Sequence, residues 1–187
     1  GLGLSMLLTG CVLDSDKTHN IVIEKSRHET PEWAHQDTFE TQKYTHIVVS
    51  IQTKTPSDGL VLQLAKKKMT DLFKNRSIVI LEPLKKQTDI YQRLVHELPQ
   101  YSAKKLMLQI KQEKQVYWEK IIYQTKEDPH VRQEGFRYYC MLRVEKEKLY
   151  RVETQFIWLA KDRAYRYQQK LLGSQLKKSL ARIKDFN

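Results

Sequence analysis

The clearest alternation of apolar and polar residues runs from Phe136 to Val144. Phe136, Tyr138, Cys140, Leu142 and Val144 fall on one side, with Arg137, Arg143 and Glu145 on the other. A period of two sends successive side chains to opposite faces of a pleated ribbon, so this segment is a half-buried strand. Tyr44 to Thr53 repeats the pattern, with Ile47, Val49 and Ile51 against His46, Ser50 and Gln52, and Val48 as the exception. Gln115 to Thr125 is rich in β-branched and aromatic residues and predicts a further strand, apolar on both faces. After a loop at Glu127-Asp128-Pro129 it is expected to pair with the Phe136 strand as a hairpin.

Helical spacing takes over elsewhere. Pro56-Ser57-Asp58 supplies a helix start, and Leu60, Val61, Leu64, Ala65, Met69, Leu72 and Phe73 recur three or four residues apart, with Lys66, Lys67 and Lys74 outside. Ile78 to Leu81, closed by Glu82-Pro83, reads as a short buried strand. Thr88 to Ile110 has a helical pattern, but Pro99 lacks an amide hydrogen and is expected to divide it into two short helices. From Lys148 onward, Leu149, Val152, Phe156, Leu159, Ala160, Ala164, Tyr167, Leu171 and Leu176 predict a long C-terminal helix, bent near Gly173. The expected fold is α+β: a small mixed or antiparallel sheet with helices packed on one face and a long C-terminal helix.

The first residues follow neither period. Gly1 to Thr9 is uncharged and apolar, and Leu8-Thr9-Gly10-Cys11 has the form of a bacterial lipobox, in which a small residue before Cys permits lipidation of the thiol and cleavage on its amino side. Residues 1–10 are therefore read as part of a signal peptide and Cys11 as the lipidated N-terminus, held to the membrane by its acyl chains. Val12 rather than Asp follows, which under the enterobacterial sorting rule implies the outer membrane, with the body facing the periplasm.

Charge then divides the rest. The whole chain of 187 residues carries 33 Lys and Arg against 22 Asp and Glu, a net charge of +11. Val12 to Gln42 holds three Lys or Arg against seven Asp or Glu, so Lys43 to Asn187 must carry +15. The organisation expected is a lipidated, acidic tether over 11–42 with one short strand at Ile21-Val22-Ile23, followed by a basic α+β domain over 43–187. With 40% hydrophobic residues the chain can fold around a core, and no apolar run is long enough for a spanning helix.

The cations concentrate at the end: Lys161, Arg163, Arg166, Lys170, Lys177, Lys178, Arg182 and Lys184 stand against the single acid Asp162. They read either as a solvated helix face that complements the macrodipole or as a surface for anionic lipid, anionic envelope polymer or an acidic protein. Nucleic acid is disfavoured by the envelope address. Trp118, in the two-sided Val116-Tyr117-Trp118, and Tyr139, opposite the Cys140 face, are candidates for a protein interface or for a fully covered strand. Trp158 neighbours the core stripe and is expected to pack there. Cys140 on its apolar face behaves as a small hydrophobe.

Enzyme motifs do not stand out. There is no glycine-rich phosphate loop, G-x-S-x-G elbow or HExxH helix, and His19, His28, His35, His46, His96 and His130 lack metal-ligand spacing. No catalytic residue, metal or cofactor is expected.

The lipobox at Cys11, Pro31-Glu32-Trp33 after the tether, the strand at Ile47 to Ile51, the helix containing Ala65 and the strand ending in Tyr138-Tyr139-Cys140-Met141-Leu142-Arg143-Val144 together resemble a family of small bacterial outer-membrane lipoproteins that includes flagellar basal-disc proteins of the FlgP type. The chain departs from that pattern around Pro99 and in its positive charge. The resemblance implies a periplasm-facing structural subunit, often in a ring or lattice, with no catalytic residues. The expected function is a noncatalytic structural or assembly subunit of an envelope-spanning machine, either a flagellar disc or the outer-membrane complex of a secretion system, partnered by its protein subunits and able to homo-oligomerise. The alternatives are a module that binds anionic polymer or lipid, and a periplasmic hydrolase with an unrecognised site.

Overall fold

The computed structural model describes residues 20–124 and 130–186. The expected lipobox at Cys11, the start of the tether and the loop at Glu127-Asp128-Pro129 lie outside the described residues. Strands β1 (Ile21–Lys25), β2 (Phe39–Glu40), β3 (Tyr44–Thr53), β4 (Gln115–Gln124) and β5 (Arg132–Glu145) form a sheet in the order β1-β4-β5-β3-β2. Every pairing is antiparallel. The fold is α+β.

Strand β5 is the spine: it pairs with β4 over Arg132 to Met141 on one side and with β3 over Phe136 to Glu145 on the other. Its alternation sets the register: Cys140 lies between Val49 and Val116, and Tyr138 between Ile51 and Trp118. The apolar residues of the three strands thus share one face. Helix α1 (Asp58–Ile80) lies on that face through Val61, Ala65, Met69 and Phe73, joined by Leu106 and Ile110 of α2 (Thr88–Gln112). One side chain every fourth residue keeps a single helical stripe on the sheet.

Two expectations about these helices are corrected. Ile78 to Leu81 is not a strand: α1 runs through Ile80, with Ser77, Ile80 and Leu81 buried and Ile78 and Val79 exposed. A short apolar run does not reveal its own period, and the i, i+3, i+4 spacing set by Phe73 and Ser77 continues across it. Pro99 does not divide α2, which is one helix of 25 residues. Proline at this point deprives the Val95 carbonyl of its usual donor, at a cost of about 3 kcal/mol. Against that cost stand Leu94, Leu98, Ser102, Leu106 and Ile110, a stripe with a strict four-residue interval that is buried on both sides of the proline.

The C-terminal region is two helices, α3 (Lys146–Arg166) and α4 (Lys170–Lys184), not one helix bent at Gly173. The chain turns at Gln168, whose φ of 56° is in the left-handed region, and Gln169 donates to the Ala164 carbonyl at 2.8 Å. The turn folds Leu172, Leu176 and Ile183 back onto Ile157 and Ala164, building a second core with Ile80, Leu84, Leu94 and Leu98. Gly173 serves that packing: a Cβ there would lie 2.9 Å from Tyr165 Cζ.

The expected tether is, over residues 20–42, part of the fold. Strand β1 lies along β4 at one edge of the sheet and β2 along β3 at the other. The intervening chain crosses the face opposite the helices as a strap, with a short 3-10 helix at Glu32–His35. Low apolar content hid it, because it is held by hydrogen bonds. Ser26 exchanges bonds with the Trp118 backbone, and Trp33 Nε1 donates to Gln115 Oε1 at 3.0 Å.

Candidate partner surface on the C-terminal helices

The eight cations do not share one face once the C-terminal region is a helical pair. Lys161 Nζ stands 3.7 Å from the centre of the Trp158 ring. Trp158 is 48% exposed, so its role is to support that cation rather than to fill the core as expected. Lys170, Lys177 and Lys184, seven residues apart, form an exposed stripe on α4. Lys178 and Arg182 lie beside Glu82, and Arg182 forms an exposed ion pair with it at 2.7 Å. Arg163 and Arg166 enter a groove between α2, α3 and α4.

That groove has a volume of about 920 Å³. Its apolar wall comes from Ile90 and Leu94 of α2, Phe156 and Leu159 of α3, and Leu172 and Leu176 of α4, and the rings of Tyr101 and Phe156 meet at 5.4 Å. Its polar lining is cationic: Arg93, Lys104, Arg163 and Arg166 against the single acid Glu97. Glu97 lies 4.0 Å from Arg93, and the other three cations have no carboxylate partner among the described residues. Arg93 and Lys104 were not singled out from the sequence, since in α2 they alternate with acids and neutral residues and only tertiary packing sets them beside Arg163.

Trp118 and Tyr139 occupy opposite faces of the sheet. Trp118, half-buried, packs edge-on against Phe136 at 6.2 Å and lines a cavity of about 510 Å³ at the open end of the helix-covered face. Tyr139 is buried against Tyr117 and Ala34 of the strap. Of the two readings of Tyr139, a protein interface or a fully covered strand, the strap supports the second. Burial also pushes the Tyr139 hydroxyl above its ordinary pKa, with Arg137 opposing.

Under the strap is a polar cluster. Tyr117 donates to Glu119 Oε1 at 2.9 Å, Thr30 lies 3.0 Å from the Tyr117 hydroxyl, and Lys25 Nζ donates to Thr30 at 3.0 Å. Arg137 stands 3.9 Å from Glu119, whose side chain is only 6% exposed. Glu119 could have been found: it sits on the same strand face as Tyr117, Ile121 and Tyr123, where a carboxylate must have partners. A second buried carboxylate, Glu153 of α3, takes two bonds from Arg76 of α1 at 2.8 and 2.7 Å. The Phe186 ring covers that guanidinium at 4.1 Å. Both clusters join distant segments of chain, as structural bonds do.

Cys140 is fully buried, and burial pushes its thiol pKa up to about 11, so at neutral pH it is held as the unreactive thiol. His46 stacks on Phe39 at 4.3 Å and keeps Nδ1 without a partner; burial and then Arg143 lower its pKa. Among the described residues no group of three or more His, Cys, Asp or Glu is placed to hold a metal ion. No helix of the described residues is long and apolar enough to cross a membrane. No protein-family model, curated protein or solved structure matches this chain.

Proposed function

We propose that the chain is an outer-membrane-anchored lipoprotein acting as a noncatalytic structural or assembly subunit of an envelope-spanning machine, a flagellar disc or the outer-membrane complex of a secretion system. The observation that carries this reading is the groove between α2, α3 and α4, which combines an apolar wall with three cations, Lys104, Arg163 and Arg166, that have no carboxylate partner among the described residues. Such a surface is unfinished within the monomer and suits another subunit. The lipobox at Cys11 supplies the anchor, and the resemblance to outer-membrane disc lipoproteins supports the structural role. Anchoring would turn weak lateral contacts into lasting ones by raising effective concentration.

Solubilising the outer membrane in mild detergent and isolating the protein tests this. Recovery within a large complex of defined partners, lost when Cys11→Ala releases the protein from the membrane, is the expected result. A protein that is recovered only as a monomer, or whose Cys11 carries no acyl chain by mass spectrometry, would remove the proposal. A second reading, a module for anionic polymer or lipid, is favoured by the exposed stripe of Lys170, Lys177 and Lys184. It predicts binding to the polymer that vanishes with salt and with the three lysines changed to Gln.

A further inference from the structure

We infer that the groove between α2, α3 and α4 receives an amphipathic α-helix with acidic flanks from a partner protein; this rests on the subunit reading and specifies the partner it requires. The lining residues of α2, from Ile90 through Leu94, Glu97 and Tyr101 to Lys104, recur every three or four positions. They therefore form a lengthwise stripe, about 21 Å long at 1.5 Å per residue. An elongated trough between helices fits an elongated guest, and the apolar side chains that α2, α3 and α4 each offer to it suit the i, i+4, i+7 anchors of a bound helix.

Charge decides between a helix and a lipid. The cations are spread along the trough: Arg93 and Lys104 are separated by about 16 Å of α2, with Arg163 and Arg166 contributed from α3. A single anionic headgroup could not engage cations at both ends of the stripe, whereas glutamates or aspartates on successive turns of a helix could. Gln100 and Gln169 also line the trough. These amides would gain nothing from an acyl chain but can bond to peptide side chains. The two arginines are exposed, and their planar forks suit carboxylates.

The probe is a fluorescent peptide of about 16 residues, long enough to span the stripe as a helix, with leucines on one face and glutamates on both flanks. Its control is the same peptide with lysine at every glutamate. Fluorescence anisotropy on the purified chain should show binding of the acidic peptide and none of the basic one. Arg163→Glu with Arg166→Glu should weaken it by at least about tenfold, as should raising salt to about 0.5 M. Leu159→Asp, at a 49% exposed position on the apolar wall, should do the same. Circular dichroism and thermal melting establish that each variant is folded.

Equal binding of both peptides, binding unchanged in the double variant, or no binding of the acidic peptide overturns the inference. So does displacement of the peptide by phosphatidylglycerol vesicles at the same arginines, which would assign the groove to lipid. The peptide assay needs neither membrane nor complex, so the two proposals fail separately. A double variant that still enters the envelope complex, together with failed peptide binding, removes the groove as the contact and leaves the subunit reading standing.

Discussion

The two faces of the sheet are closed by different physics. The helix-covered face buries Ile47, Val49, Cys140, Leu142 and Val144 under Val61, Ala65, Met69 and Phe73, a contact made of apolar area. The opposite face is covered by an extended strap, and its interior holds Tyr117, Glu119 and Thr30 in a hydrogen-bonded cluster beside the buried Tyr139. Apolar burial has no direction and tolerates some repacking, whereas a buried carboxylate depends on each of its partners. The helical side should therefore carry most of the stability, and the strap should be the part that opens first.

The largest effect is expected on the helical side. Phe73→Ala empties a site that is 1% exposed at the centre of the core, and should cost about 3–5 kcal/mol in urea denaturation. Breaking the bond between α1 and α3 by Arg76→Met should cost about 3–5 kcal/mol as well, since it leaves Glu153, only 1% exposed, without its partner. If either change costs under about 1 kcal/mol, the helical layer is not the main source of stability.

On the strap side, Glu119→Ala should cost about 1–3 kcal/mol, because Tyr117 and Arg137 lose the group they face. Its signature is local: the Ala34 and Gln36 amides should exchange with solvent faster than those of α1. Uniform acceleration across the chain would show that strap and helices open as one unit. Removing the bond from Trp33 to Gln115 by Gln115→Leu should cost about 1 kcal/mol, read from the same exchange measurement.

The smallest expected effect is a pH dependence at the strap's far end. His46 has its folded pKa lowered by burial and by Arg143, so the unfolded chain takes up its proton first. The stability contributed by neutral His46 is complete above the unfolded pKa of about 6.5 and is lost as pH falls from there through the folded value. The groups that face the ring are Phe39, Tyr44, Thr41 and Arg143. His46→Phe, which can keep the stack on Phe39, should flatten this part of the stability profile. An unchanged acid slope would exclude His46 as its source.

The long alternating runs could be read directly, and so could the α+β class. Phe136, Tyr138, Cys140, Leu142 and Val144 face the core as their period requires, and Ile47, Val49 and Ile51 face it with them. The candidate surface was legible only in part. Arg163 and Arg166 stood out as members of a basic run, but their neighbours Arg93 and Lys104 lie some sixty to seventy residues earlier, in a helix of mixed charge. Glu119 was visible in principle as an acid on an apolar face, and its partner Thr30 was not, because nothing in the sequence places residue 30 beside residue 117.

Local periodicity, which depends only on backbone geometry and the sign of each side chain's transfer free energy, determined the three long strands and the amphipathic stripes of the helices, and composition alone fixed the basic excess of the C-terminal region. Tertiary structure decided where the periods stop and what they face. Helix α2 continues through Pro99 because both flanks are buried, the C-terminal helix turns back at Gln168 because a second core rewards it, and an acidic, weakly apolar segment becomes a strap because its hydrogen-bond partners wait on strands far along the chain. Those outcomes depend on contacts between residues distant in sequence, and no local pattern can encode the partner that completes a buried polar group or the neighbour that turns a run of cations into one wall of a groove.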